Sequence, residues 1–261
     1  MELMNKTQKN TVLLICIAAI LLPVLFFGAI LVFRISGLPL YFTQLGLYAA
    51  FYLLAFWGMK SSGIRLNVAN GRLLWQSLAV LVLSWLFYVL VISVFKIVNL
   101  PQEVQTLGSA SLWKIAANIL STWFFVGTAE EVLFRGFFLK KLVAYYEERK
   151  SARTTLWAVL VSSAFFSLWH LPVRLYLLFN GGISIGMILV SLVVLFVLGT
   201  GFAWLFLRSG RILLTGVVHG VLDYPLIGGD SQFSFMMLIA AIGLVEIARL
   251  VRRKKTGLDE F

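Results

Sequence analysis

Charge is what this sequence has least of. Only 13% of its 261 residues are Asp, Glu, Lys or Arg, against 61% hydrophobic, whereas a soluble domain carries roughly a quarter charged residues. That excludes water as the main solvent. Cysteine is nearly absent as well. Cys16 is the only one, so neither an intrachain disulfide nor a thiolate metal cluster is possible, and no redox compartment can be read from it. Acid is scarcer than base, eleven Asp and Glu against 22 Lys and Arg, for a formal net charge of +11. In a soluble protein that excess would suggest nucleic acid. Here the basic residues sit in short segments between apolar runs, so membrane topology accounts for them and no nucleic-acid partner is expected.

The chain is rich in long apolar runs. A helix needs about 20 apolar residues to cross roughly 30 Å of hydrocarbon. The first run, 11–33, is long for a signal-peptide core and lacks a clear small-residue cleavage site. It reads as a retained first span, kinked at Pro23. Seven more follow at 38–59, 74–98, 111–142, 155–171, 183–207, 212–227 and 234–251. Their length argues for helices, because barrel strands need only about ten alternating residues. The expected fold is therefore all-α, a polytopic bundle of about eight transmembrane helices. It forms one membrane domain, with 1–110 holding three N-terminal spans, 111–227 a central core, and 228–261 the last span and a basic tail.

Basic residues set the orientation. With the N-terminus in the cytoplasm, the inner side receives Lys6, Lys9, Lys60, Arg65, Arg72, Lys140, Lys141, Arg149, Lys150, Arg153, Arg208 and Arg211. The tail adds Arg249, Arg252, Arg253, Lys254 and Lys255. The outer side receives Arg34, Lys96 and Arg174, with Lys114 near its boundary. This bias matches the positive-inside rule and puts both termini in the cytoplasm.

An ionisable residue at a bilayer centre costs about 2.5–3.5 kcal/mol on insertion scales, so it needs a partner or a purpose. The acidic residues inside the spans are Glu130, Glu131, Asp223 and Glu246, and both histidines, His170 and His219, lie there too. In AEEVLFRG, Glu131 and Arg135 are four apart and share a helix face, acid before base, which predicts an ion pair. Glu130 is turned about 100° away and is left for chemistry. His170 closes FFSLWHLP; Phe166, four residues earlier, should cover the same face, and Pro172 should end or kink the helix. His219 and Asp223, in VVHGVLDYP, share a face that Gly216 and Gly220 flank, which permits close helix approach. Glu246 lies near Arg249 and Arg253 and reads as an interfacial pair.

A glutamate, two histidines and an aspartate can hydrolyse a peptide bond in two ways. Glu130, assisted by His170, can act as a general base on water while His219 donates to the oxyanion. Alternatively Glu130, His170, His219 and Asp223 can bind zinc, which activates the water. The HExxH zinc motif is absent, and no serine or cysteine signals a nucleophile; Ser209 in RSGR reads as turn chemistry. A transporter would also use buried acids and histidines, but the chain shows no obvious internal repeat.

The three motifs EExxxR (Glu130, Glu131, Arg135), FxxxH (Phe166, His170) and HxxxD (His219, Asp223) resemble, in order and spacing, those of the CPBP intramembrane proteases. That family includes type II CAAX prenyl endopeptidases and Abi-like bacterial proteins linked to bacteriocin processing or self-immunity. The resemblance covers 111–227, and the first three spans offer no motif. It implies an endopeptidase that cuts a membrane-associated protein or peptide near its C-terminus or at a leader junction. By carry-over, Glu130 and His170 activate water, His219 and Asp223 stabilise the oxyanion, and Glu131, Arg135 and Phe166 support them. No cofactor is implied, with zinc as the alternative. The eukaryotic CAAX enzymes carry asparagine where this chain has Asp223. An ionised aspartate cannot donate to an oxyanion, so Asp223 must be protonated, orient His219, or bind a metal. A bacterial plasma membrane is the expected location, and a non-proteolytic immunity or regulatory role on the same fold is the alternative function. Depth raises one tension. At 1.5 Å per residue, Glu130 lies roughly 15 Å from the inner end of its span, His219 about 10 Å and His170 about 24 Å.

Overall fold

The computed structural model describes residues 6–64, 71–146, 152–228 and 233–256, and every regular element among them is a helix. Several residues behind the topology assignment, namely Lys6, Lys9, Arg65, Arg72, Arg149, Lys150, Arg253, Lys254 and Lys255, lie outside those whose side chains are described. Five helical stretches are long and apolar enough to cross a bilayer: Asn10–Phe33, Pro39–Ser61, Leu74–Val94, Arg153–Phe179 and Ile185–Ser209. They expose large apolar side chains, as Leu13, Leu25, Leu53 and Val190 do. Such exposure suits a lipid solvent and not water. The chain is an all-α, polytopic integral membrane protein.

The three remaining expected spans are helical but built differently. The run 111–142 is α5 (Leu112–Asn118), a π-helical stretch Ile119–Val126, α6 (Gly127–Glu131), a second π-helical stretch Val132–Leu139, and α7 (Lys140–Tyr146). The run 212–227 gives only a twelve-residue helix, α11 (Ile212–Asp223), and the last is α12 (Phe235–Thr256), which carries Glu246, Arg249 and Arg252. One helix lay outside the sequence expectation: α4 (Leu100–Ser109), started by Pro101 in its first turn and by Asn99, whose side chain accepts from the Gln102 N–H.

The chain forms two compact units. The first comprises Met1–Leu66 and Ala129–Ala203. In it α1 (Lys6–Phe33) and α2 (Gly37–Ser61) pack together, and α2 also packs on the second π-helical stretch. Against that stretch lies α8 (Ala152–Trp169), continued after His170 by α9 (Leu171–Phe179). Its core is aromatic: Phe134 meets Phe166, Trp169 and Phe165 with ring centroids 5.2, 5.5 and 5.7 Å away. Pro23 lies inside α1 without breaking it. A proline has no N–H to give the carbonyl four residues back, and the Trp169 indole N–H donates to that carbonyl, Ala19 O, at 2.7 Å.

The second unit comprises Asn67–Thr128 and Trp204–Phe261. Here α3 (Gly71–Val94) packs on α11 and α12, and α11 packs on the first π-helical stretch. Its core gathers Tyr88, Ile92, Val217, Val221, Ile227 and Met237. The expected close approach at the α11 glycines is present. A Cβ on Gly216 would overlap Thr128, and one on Gly220 would overlap the backbone of Thr122 and Trp123.

Candidate active site

Glu130 and Glu131 follow one another on α6, yet their carboxylates go different ways, as the rotation between consecutive helical residues requires. Glu131 Oε1 lies 3.2 Å from Arg135 Nη1, both side chains fully buried. Arg135 is held from two further directions. Its Nη2 donates to Gly199 O at 2.9 Å, and its guanidinium stacks over the Phe166 ring, 4.4 Å from the centroid. Gly199 carries no side chain to block this approach: a Cβ there would lie 3.1 Å from Phe166 and 3.4 Å from Arg135 Nη2. The expected ion pair is thus the anchor of the second π-helical stretch. Stretches of this kind recur at functional sites, and here they bracket the short α-helical segment that carries both glutamates.

The Glu130 carboxylate, 4% exposed, faces His170, with Oε2 3.7 Å from Nε2. The histidine sits where α8 ends and α9 begins, with Pro172 in the first turn of α9, so the interruption expected at the proline falls on the histidine itself. His170 Nδ1 lies 2.9 Å from Phe166 O. A carbonyl only accepts, so Nδ1 carries the proton and Nε2 is the nitrogen turned toward Glu130. The Phe166 ring also contacts the imidazole edge to face at 4.7 Å. Phe166 therefore serves both halves of the first unit's cluster, holding Arg135 with its ring face and fixing His170 with its ring and carbonyl. Trp169 closes the other side of the imidazole at 5.0 Å, itself tied to the Ala19 carbonyl that Pro23 leaves open.

One participant was missed by sequence reasoning. Tyr48 of α2 donates its hydroxyl to Glu130 Oε1 at 3.3 Å. The first three spans offer no motif, and a lone tyrosine in an apolar run carries no signal of such a role. Within the first unit the depth mismatch between Glu130 and His170 closes, their side chains standing 3.7 Å apart. The fifth span does not stop at 171 but runs on as Arg153–Phe179. At 1.5 Å per residue those 27 residues measure about 40 Å, more than the roughly 30 Å of hydrocarbon. A helix that long tilts or begins outside the apolar layer, and His170 comes level with Glu130.

In the second unit His219 Nε2 and Asp223 Oδ2 stand 3.7 Å apart on one face of α11, the histidine 7% and the aspartate 46% exposed at the side chain. The loop after Asp223 is pinned by aromatic donors. Trp123 gives its indole N–H to Tyr224 O at 2.9 Å, Trp85 to Pro225 O at 2.9 Å, and the Tyr88 hydroxyl reaches Ile227 O at 3.1 Å. Glu246 pairs with Arg208 at 2.9 Å and Arg249 at 3.5 Å; the Arg253 side chain lies outside the described residues. Among the described residues no three His, Cys, Asp or Glu form a group that could hold a metal ion.

Residues 111–225 match the family Type II CAAX prenyl endopeptidase Rce1-like. The matched segment holds all three motifs and bears out the resemblance read from them. No curated protein and no solved structure matches the chain.

Proposed function

We propose that this chain, which carries an Rce1-like type II CAAX prenyl endopeptidase domain over residues 111–225, is an intramembrane endopeptidase that hydrolyses a peptide bond with water activated by Glu130 and His170. The observation that carries the reading is the buried Glu130 carboxylate facing His170 Nε2, the imidazole nitrogen opposite the one held by Phe166 O. Their 3.7 Å separation is wider than a direct hydrogen bond. A water held between them, or a small side-chain rotation, passes the proton.

In this reading Glu130 takes a proton from the water as its oxygen attacks the peptide carbonyl carbon. Negative charge moves to the carbonyl oxygen, and His219 donates a hydrogen bond to it. An ionised carboxylate cannot donate, and the role proposed for Asp223, whose Oδ2 stands 3.7 Å from His219 Nε2, is to orient that imidazole. The C–N bond then breaks, and the proton taken from water goes by way of Glu130 or His170 to the leaving amine. Tyr48 holds Oε1 and leaves Oε2 toward His170.

The substrate is a membrane-associated protein or peptide, cut in CAAX-type fashion near its C-terminus or at a bacteriocin-type leader junction. In this reading both termini lie in the cytoplasm, as the Lys/Arg bias favours, and the membrane is a bacterial plasma membrane. The test is to reconstitute the protein in bilayers with a prenylated CAAX peptide and, separately, a leader-bearing peptide, and to map new termini by mass spectrometry. A defined new C-terminus from one of them is expected. Failure to cut either, with the cellular phenotype kept by Glu130→Ala, would instead favour the non-proteolytic role.

A further inference from the structure

Within the second unit, four arginines gather around one cavity of about 300 Å³: Arg208 at the end of α10 (Ile185–Ser209), Arg211 before α11, and Arg249 and Arg252 on α12. Glu246 holds Arg208 and Arg249. The other two converge on a single neutral atom. Arg211 Nη2 lies 2.5 Å and Arg252 Nη2 2.9 Å from Gln76 Oε1. Ser77 Oγ, 3.3 Å from Arg211 Nη1, fixes the first of them. Burial, and after it the neighbouring Arg252 charge, push the Arg211 pKa down. The N-terminus of α11 adds partial positive charge at the same point. Among the described residues that line this cavity, four are arginines and none is Asp or Glu, which gives it a positive character.

The rest of its lining is apolar and small: Ala79, Val80, Val245 and Ala248. Ala79 and Ala248 are exposed, so the cavity opens sideways along the helix surfaces. A site with guanidiniums at one end and an open apolar trough at the other matches an amphipathic anion. Guanidinium recognises phosphate through paired N–H donors, and basic pockets between spans on the cytoplasmic side are suited to lipid headgroups. We propose that this cavity binds a phosphate group, supplied by an anionic phospholipid whose acyl chain lies against Ala79 and Ala248. The proposal is independent of any proteolytic activity.

The full-length protein in detergent is titrated with phosphatidylglycerol or phosphatidylcholine, and bound lipid is counted by native mass spectrometry, with and without millimolar inorganic phosphate. Phosphatidylglycerol should bind about tenfold more tightly than phosphatidylcholine. The preference should vanish in Arg211→Gln/Arg252→Gln. It should also fall in Ala248→Trp, which keeps every charge and fills the trough at an exposed position, so the test survives if the double variant does not fold. Arg153→Gln, outside the cavity lining, should change nothing. Phosphatidylglycerol retained against inorganic phosphate assigns the site to lipid, and its ready displacement assigns the same site to free phosphate. An unchanged lipid preference in Ala248→Trp and in the double variant overturns the proposal.

Discussion

Glu130 and His170 meet with 3.7 Å between Oε2 and Nε2 because Phe166 O holds the opposite ring nitrogen at 2.9 Å. On the other side of the carboxylate, Tyr48 donates to Oε1. Tyr48→Phe keeps the ring and removes the hydroxyl that donates to Glu130. A bond of this kind contributes about 1 kcal/mol, so kcat/KM should fall about fivefold to tenfold while the melting temperature stays within a few degrees. Steady-state cleavage and thermal unfolding of the same preparation check this. An unchanged kcat/KM would remove Tyr48 from the site.

Arg135 and Glu131 are fully buried with each other. Arg135→Met strands a buried carboxylate and should destabilise the protein by about 3–5 kcal/mol. Replacing both, Glu131→Leu with Arg135→Met, should recover most of that loss, since no unpaired charge remains. Unfolding in mixed micelles gives both values. If the double variant is no more stable than the single one, the arginine acts mainly through Gly199 O and Phe166 and not through its ion pair.

Gly220 lets α11 approach the backbone of Thr122 and Trp123, where a Cβ has no room. Gly220→Ala should cost about 2–3 kcal/mol and lower activity by shifting His219. Gly243 on α12 has nothing near its missing side chain, so Gly243→Ala should be neutral or add about 0.5–1 kcal/mol. Thermal unfolding of the two variants side by side measures the contrast.

The reading in which Glu130 and His170 activate water without a metal expects cleavage to persist after exhaustive chelation, and elemental analysis to find no stoichiometric zinc. Chelator-sensitive activity restored by zinc would turn the assignment toward metal-activated water.

The site was legible where its chemistry depends on spacing along one helix. Glu131 with Arg135, Phe166 with His170 and His219 with Asp223 are each four apart, and each pair is in contact. Contacts across the fold left weaker traces. Tyr48 is 82 residues from Glu130, and nothing in its own span marks it. Pro23 could be read as a kink, but which donor takes the carbonyl it frees depends on where Trp169 arrives. Pro172 reads equally as the end of one helix or the first turn of the next, and the second outcome lengthened the fifth span. The π-helical stretches were not legible, because an i→i+5 hydrogen bond requires no residue type of its own.

In the proposed reaction Glu130 is the base. Its role is read from the cleavage rate of reconstituted Glu130→Gln against the parent chain, with folding verified by thermal unfolding. The rate should fall by about 10²–10⁴-fold with the fold intact. A rate within a factor of about two of the parent would contradict it.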